Sequence, residues 1–255
     1  HYPYGMIRKW FERRLELKTL NKADALVTVS EPLAKDLGSL HHETPVSAIP
    51  NGFDPDEMGS APLTKEFTIT YTGQLYRGKR DPEPLFQATR ELIAEGVIDP
   101  TAIEVRFFGP REYWLDQEIK KYHLEEIIKQ YGMVPREVVL TKQRESQILL
   151  LLNWNDPRER GVYSGKVFEY LAARRPILAI GGPTGVVSEL LEETGAGVHV
   201  KDVAELKEFL RKCCKEYQAT GQVCYCGKKE RVARYSHHEM ARKFAEVLRL
   251  TLSSK

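Results

Sequence analysis

Short apolar runs alternate with amphipathic stretches along most of this 255-residue chain. The runs ALVTVS (25–30), VSAIPN (46–51), FTITYTG (67–73), IEVRFFG (103–109), VVLT (138–141), ILLLLN (148–153) and PILAIGG (176–182) read as strands. They are short, rich in β-branched residues and nearly continuous in apolar side chains, as strands are when both faces of a parallel sheet are covered. Helical spacing marks 82–95, 112–130, 165–173, 185–194 and 202–218 between them. The alternation predicts βαβ units, hence an α/β fold with a doubly wound parallel sheet and helices on both faces.

The pattern breaks once. PNGFDPDEMGSAPLTKE (50–66) is rich in Pro, Gly and acidic residues, has no period, and reads as a linker. Upstream lie only a helix, a strand, a helix and a strand, too little for a complete domain of this class. The expected organisation is therefore a partial second domain over 1–60, a whole sheet domain over 61–236, and a final helix over 237–255. That helix carries Met240, Phe244, Val247 and Leu248 on one stripe and could dock on either domain. The first helix, YGMIRKWFERRLELKTL, is basic on one side (Arg8, Lys9, Arg13, Arg14, Lys18) and carries Trp10 and Phe11. It reads either as contact with an anionic membrane surface or as a solvated amphipathic face, since Glu12 and Glu16 interleave with the bases. The chain opens on His1 rather than Met and shows no signal peptide, which reads as the remainder of a longer protein.

Composition narrows the function classes. A net charge of +2 gives no argument for nucleic acid as a partner. No apolar run approaches the roughly 20 residues of a membrane span, and the expected setting is cytoplasmic. The four cysteines, Cys213, Cys214, Cys224 and Cys226, fall in a lysine-rich segment as an adjacent pair and a C-x-C. Neither matches the usual zinc spacing, and reduced thiols are the expectation. The pairs His41–His42 and His237–His238 read as solvated loop and helix-start histidines.

The most informative stretch is GVYSGKVFEYLAARRPILAIGG (161–182). Ser164 and Gly165 form a small-residue turn that opens a helix carrying Lys166 and Glu169. A helix mouth presents unpaired N–H groups and a positive dipole end, which suits phosphate. Glu169 lies one turn further in, where a carboxylate can take two ribose hydroxyls. This is the layout of a nucleotide site in an open α/β sheet. The alternative for Glu169 is a salt bridge to Arg174 or Arg175.

Six pieces in order, ADALVTVSEPLAKDL, AIPNGFD, YTGQLYRGKRD, FFGP, GMVPRE and GKVFEYLAARRPILA, resemble the retaining glycosyltransferases of the GT-B fold, family 4 in particular. The resemblance covers about Ala23 to Gly197. It implies two Rossmann-like domains facing across a cleft, with the acceptor on the N-terminal one and a nucleotide sugar on the C-terminal one. Residues 1–60 then resemble the tail of the acceptor domain, 61–236 the donor domain, and the last helix the one that crosses back. The implied activity is transfer of a sugar, with retention, from a nucleoside diphosphate sugar to a glycan or lipid-linked acceptor. A contact with the inner membrane face is one option. The donor is a substrate, and no cofactor is implied. Two other readings use the same scaffold: a nucleotide-sugar-binding module without activity of its own, and a UDP-sugar 2-epimerase-like enzyme.

By this resemblance Glu169 binds the ribose and Lys79 meets the donor phosphates, and these two are the catalytic candidates. The family's Arg in the same turn falls on Gln74, so Arg77 or Arg80 would have to supply the missing charge. Cations there stabilise the charge that develops on the leaving diphosphate, so a metal ion is not implied. Gly73 leaves room for phosphate to approach the backbone. Ser164, Gly165 and Lys166 would hold the distal phosphate. Gly109, Met133 and Val134 would border the base, with core packing the alternative for the last two. Gly181, Gly182 and Gly185 would border the sugar. The family's first glutamate, eight positions before Glu169, falls on Gly161. Glu159 is a nearby substitute, with Asp156 further up the loop.

Overall fold

The computed structural model describes residues 5–253. Tyr4, the expected start of the first helix, and His1 lie outside them. The chain runs α1 (Met6–Leu20), β1 (Leu26–Thr28), α2 (Glu31–Gly38) and β2 (Val46–Ala48), with β1 and β2 paired in parallel as a small sheet. Residues 49–66 then lead to β3 (Phe67–Thr72), α3 (Glu83–Ala94), β4 (Ile103–Phe108), α4 (Tyr113–Lys121), β5 (Ile128–Gly132), α5 (Arg136–Arg144) and β6 (Ile148–Leu152). There follow α6 (Gly165–Ala173), β7 (Ile177–Ile180), α7 (Val186–Thr194), β8 (Gly197–Val200), α8 (Val203–Thr220), α9 (Lys229–Val232) and α10 (His237–Ser253).

The large sheet is parallel throughout, in the order β5-β4-β3-β6-β7-β8. Two apolar clusters cover its two faces. Ile148, Leu150 and Leu152 of β6 join the cluster under α3, α4 and α8. Leu149 and Leu151 join the one under α6 and α7. That alternation is why ILLLL has no polar position. Burying these side chains on both faces is the main drive for the fold, roughly 1.5–3 kcal/mol for each fully buried aliphatic.

β3 is two-faced in a different way. Phe67, Ile69 and Tyr71 pack in the first cluster, whereas Thr68, Thr70 and Thr72 turn toward the α5 side. There Thr70 Oγ1 accepts from Arg106 Nε (3.0 Å) and Ser146 Oγ (2.7 Å), and Thr68 Oγ1 accepts from the Gln147 N–H (3.1 Å). The buried Arg106 guanidinium is closed by Glu145 at 2.8 Å.

Three expectations change. Residues 138–141 are helical, inside α5: Pro135 precedes a helix start, and Val138 is left exposed rather than buried as a core strand would be. The helix expected over 112–130 stops at Lys121, His123 adopts φ +54°, and the chain turns into β5. β8 was not expected either. Both added strands are short edges of the sheet, where apolar continuity fades. Cys213 and Cys214 face the core from α8, and burial pushes their thiols up to about 12 and about 11. Among the described residues no group of three or more His, Cys, Asp or Glu is placed to hold a metal ion, and no helix is long and apolar enough to cross a membrane.

The connecting segment runs beside the start of α10. The Phe53 N–H donates to Tyr235 O (2.9 Å) and the His237 N–H to Phe53 O (2.8 Å). α2 touches the large unit as well: Ser30 Oγ, at its N-cap, donates to Gly161 O at 2.6 Å. α1 and α10 bury no residue. On α1 the basic face is partly paired within the helix, Arg8 with Glu12 (2.9 Å) and Arg13 with Glu16 (3.2 Å). His41 is buried rather than solvated, with Nδ1 2.7 Å from Asn21 Oδ1.

Candidate functional site

The strand order reverses direction between β3 and β6, and open α/β sheets bind ligands in the crevice beyond the C-terminal ends of such a pair. The turn after β3 begins at Gly73, whose φ of +108° favours glycine and whose N–H donates to Phe108 O at 2.6 Å. Gly109, at the end of β4, has φ +157°, and a Cβ on it would land on the Gly73 carbonyl oxygen. The two glycines let two backbones touch. Gly109→Ala should therefore cost roughly 1–3 kcal/mol of stability through strain and displacement of the turn. A denaturant melt checks this, and an unchanged midpoint would refute the packing argument.

Lys166, from the first turn of α6, lies directly over Gly73, so a Cβ there would collide with the lysine's Cε. Its Nζ donates to Tyr71 Oη at 3.1 Å. Burial, with help from the Arg80 charge, pulls its pKa down to about 8. Burial likewise pushes the Tyr71 phenol up to about 12. Tyr71 Oη in turn donates to Gln74 O at 2.8 Å, and Arg80 donates to the same carbonyl at 3.0 Å. Gln74 thus contributes its backbone oxygen as an anchor, while its residue surface is exposed.

Arg80, Ser164 and Gly165 line one cavity of about 290 Å³, together with Trp154, Glu159, Arg160 and Gly185. Ser164 makes no side-chain cap bond, so it leaves the leading α6 N–H groups without a side-chain acceptor. A second cavity of about 320 Å³ runs along α6 from Gly165 past Glu169 to Ala173, against Arg136 and Gln143 of α5, the connecting segment and the start of α10. His237 is exposed, as expected, and borders this second cavity. Gly165 lines both cavities. The first has cations around a helix mouth, and the second a carboxylate one turn in.

Glu169 is held by α5 rather than by its own helix end. Its Oε1 is 3.3 Å from Arg136, which also pairs with Glu57 of the connecting segment at 2.9 Å. Its Oε2 accepts from Gln143 Nε2 at 3.4 Å, and the same nitrogen donates to Thr72 Oγ1 at 2.9 Å. The alternative pairing with Arg174 or Arg175 is absent. Arg174 caps α6 in the left-handed conformation, and Arg175 donates to Arg144 O at 2.7 Å. Through Gln143 and Thr72, Glu169 stands on the same side of the sheet as the Gly73 turn.

Several candidates stand elsewhere. Lys79 lies 3.9 Å over the Trp154 ring and lines a cleft with Asp156 and Arg158 that adjoins the first cavity at Trp154, without itself lining that cavity. Consecutive residues of one turn diverge, and Arg80 is the one that reaches the mouth. Arg77 is exposed. Met133 is 75% exposed, so core packing does not explain it, and neither it nor Val134 lines the two cavities. Asp156 is spent on Arg158, which pulls its pKa down to about 2. Gly161 packs closely on α2: a Cβ there would sit 3.2 Å from Pro32 Cβ, so a larger residue would have to push α2 aside by a few tenths of an ångström. Glu159 does line the first cavity. Gly181 O accepts from Asn153 Nδ2 at 3.3 Å and lies 2.8 Å from His199 Nε2, fixing the loop that leads to Gly185.

Residues that sequence reasoning passed over are Arg136, Gln143 and Trp154. Arg136 was in view within GMVPRE. Gln143 and Trp154 gave no pattern, yet Gln143 Oε1 and Trp154 Nε1 are both buried without a partner.

Comparison with known proteins bears on the fold. Residues 1–57 match Glycosyltransferase Family 4. No curated protein sequence matches the chain. Among solved structures, a glycosyltransferase from Rickettsia africae superposes with a TM-score of 0.73 at 17% identity, covering 100% of this chain and 69% of that one. Anabaena HepE, solved with UDP and glucose, gives 0.71 at 17% identity over 93% of this chain and 66% of its own. Sucrose-phosphate synthase from Thermosynechococcus elongatus gives 0.67 at 14% identity over 96% and 63%. The chain thus has the α/β fold of GT-B glycosyltransferases, resembles family 4 among them, and spans about two thirds of the HepE chain.

Proposed function

We propose that this chain carries the donor site of a glycosyltransferase that moves a sugar, with retention, from a nucleoside diphosphate sugar to a glycan or lipid-linked acceptor. One observation carries the reading: two cavities meet at Gly165 on the α6 mouth, with Arg80 and Ser164 on one and Glu169 on the other. A diphosphate on the mouth and a ribose on Glu169 would be contiguous, with the sugar toward Trp154, Glu159 and Gly185. HepE was solved with UDP and with UDP-glucose, which makes UDP the first probe.

In this reading Arg80 and the α6 N–H groups, with the Lys166 charge behind them over Gly73 though lining neither cavity, stabilise negative charge as it builds on the departing diphosphate, the step in which such groups contribute most. Retention rests on the family resemblance: the acceptor hydroxyl enters on the face the diphosphate leaves and hands its proton to a phosphate oxygen. Residues 237–255 would cross back onto the acceptor side, which the β1–β2 unit represents here. We place the protein in the cytoplasm. The exposed Trp10 and Phe11 of α1, beside its basic residues, support a peripheral membrane contact.

A thermal-shift series with UDP, GDP and ADP tests the donor site. At 100 times its dissociation constant a ligand stabilises by about 2.7 kcal/mol, roughly 5–10 °C for a chain this size. No shift with any of the three overturns the reading. Donor hydrolysis or transfer then separates an enzyme from a binding module.

A further inference from the structure

We propose that Gln143 sets ribose specificity by positioning the Glu169 carboxylate for the pentose diol; this rests on the donor-site reading above. Gln143 has no exposed surface. A fully buried glutamine is uncommon, because its amide must find partners. Here the nitrogen finds two, Thr72 Oγ1 at 2.9 Å and Glu169 Oε2 at 3.4 Å, while Oε1 has none. A leucine would fill the same volume without an orphaned oxygen. What the amide adds is a tether.

The tether spans the switch point. Thr72 ends β3 and precedes the Gly73 turn, and Glu169 sits in α6 beyond β6. Thr72 is itself locked to α6, since Tyr170 Oη accepts from the Thr72 N–H at 3.1 Å. Arg136 holds one oxygen of Glu169 toward the connecting segment, and Gln143 holds the other toward β3. With a donor on each oxygen the carboxylate has one orientation. A vicinal diol needs two acceptors at fixed spacing, and both Glu169 and Gln143 line the cavity that would receive it.

The test compares the tightest binder among UDP, GDP and ADP with its 2′,3′-dideoxy counterpart, by calorimetry on the whole chain. Wild type should prefer the ribonucleotide by about tenfold or more, as loss of hydrogen bonds to a charged group predicts. Gln143→Leu should bring the preference below about threefold while dideoxy affinity stays within about twofold, because the phosphate contacts are untouched. Glu169→Gln is the control on the parent reading. If it keeps the full preference, the ribose role of Glu169 is wrong. If it loses the preference and Gln143→Leu retains it, the Gln143 proposal alone is overturned. Should the leucine variant not fold, Gln143→Glu serves. Its carboxylate opposes Glu169 when ionised and can donate when protonated, so the ribose preference should be absent at pH 8 and return near pH 5. A preference in that variant equal to wild type at pH 8 overturns the proposal.

Discussion

Lys166→Met should give a protein that melts higher and binds a nucleoside diphosphate worse. The lysine is mostly buried and its pKa is drawn from 10.5 to about 8, with burial the largest cause. Below pH 8 it is protonated in the folded and unfolded chains alike, and the folded chain bears the whole cost of holding that cation out of water. A shift of this size corresponds to about 3 kcal/mol, at 1.36 per unit, so a methionine in the same space should raise the melting temperature by roughly 5–10 °C at pH 7. The sign follows from proton counting. Between pH 8 and 10.5 the unfolded chain holds more protons at this position, so wild-type stability rises with pH across that window. The advantage of the variant is full below pH 8, shrinks as pH rises from 8 to 10.5 and is gone above it. Melts at pH 7 and pH 10 check it, and an equal gain at both would show that packing rather than charge is responsible.

The same substitution should weaken UDP binding about 10–100-fold if a charged hydrogen bond to phosphate is lost. Stability and affinity moving in opposite directions mark a residue held under electrostatic cost for a ligand. A bound phosphate also restores the proton. Wild type should take up a fraction of a proton on binding UDP at pH 9, and Lys166→Met none, as calorimetry in two buffers of different ionisation heat would show. Tyr71 keeps its bond to Gln74 O in the variant, so the turn should survive.

Much of this was readable from residue order. The continuous runs in β3, β4, β6 and β7 follow from helices packed on both faces, and each was visible as a strand. β5, with its Lys129, Gln130 and Tyr131, and β8, with His199, lie at the sheet edges, where polar residues face solvent and the signal thins. VVLT failed for the opposite reason: three apolar residues in a row suit a buried strand, but α5 turns them around a helix and leaves Val138 outside. The mouth at Ser164 and the position of Glu169 were legible because both sit on one helix, at fixed spacing. Gln143 was not, since its contact with Thr72 spans 71 positions. Nor could the sequence show that α2 packs closely beside Gly161.

The choice between Lys79 and Arg80 was beyond sequence for a geometric reason, and it carries the sharpest contrast. The two are adjacent, equally charged, and in one turn. Family resemblance favoured Lys79. In the fold the Lys79 ammonium rests on the Trp154 face at 3.9 Å, over a cleft it shares with Arg158 and Asp156. Arg80 is tied to the Gln74 carbonyl, borders the cavity with Ser164 and Gly165, and is near enough to Lys166 to lower its pKa. Arg80→Ala should therefore cost about 10–100-fold in UDP affinity, since it removes a charge-assisted bond at the mouth. Uridine, which has no phosphate, should be bound as well by the variant as by wild type. Lys79→Ala gives up only a cation–π contact at a partly exposed site, worth about 0.5–1 kcal/mol, and should change UDP affinity less than about threefold. Removing Arg80 also removes a neighbouring positive charge from Lys166, so the Lys166 pKa should rise in that variant and proton uptake at pH 9 should shrink. A titration in which Lys79→Ala loses more UDP affinity than Arg80→Ala would return the phosphate contact to Lys79. It would mean the turn after β3 rotates when the diphosphate binds, drawing Lys79 off the indole and toward Ser164.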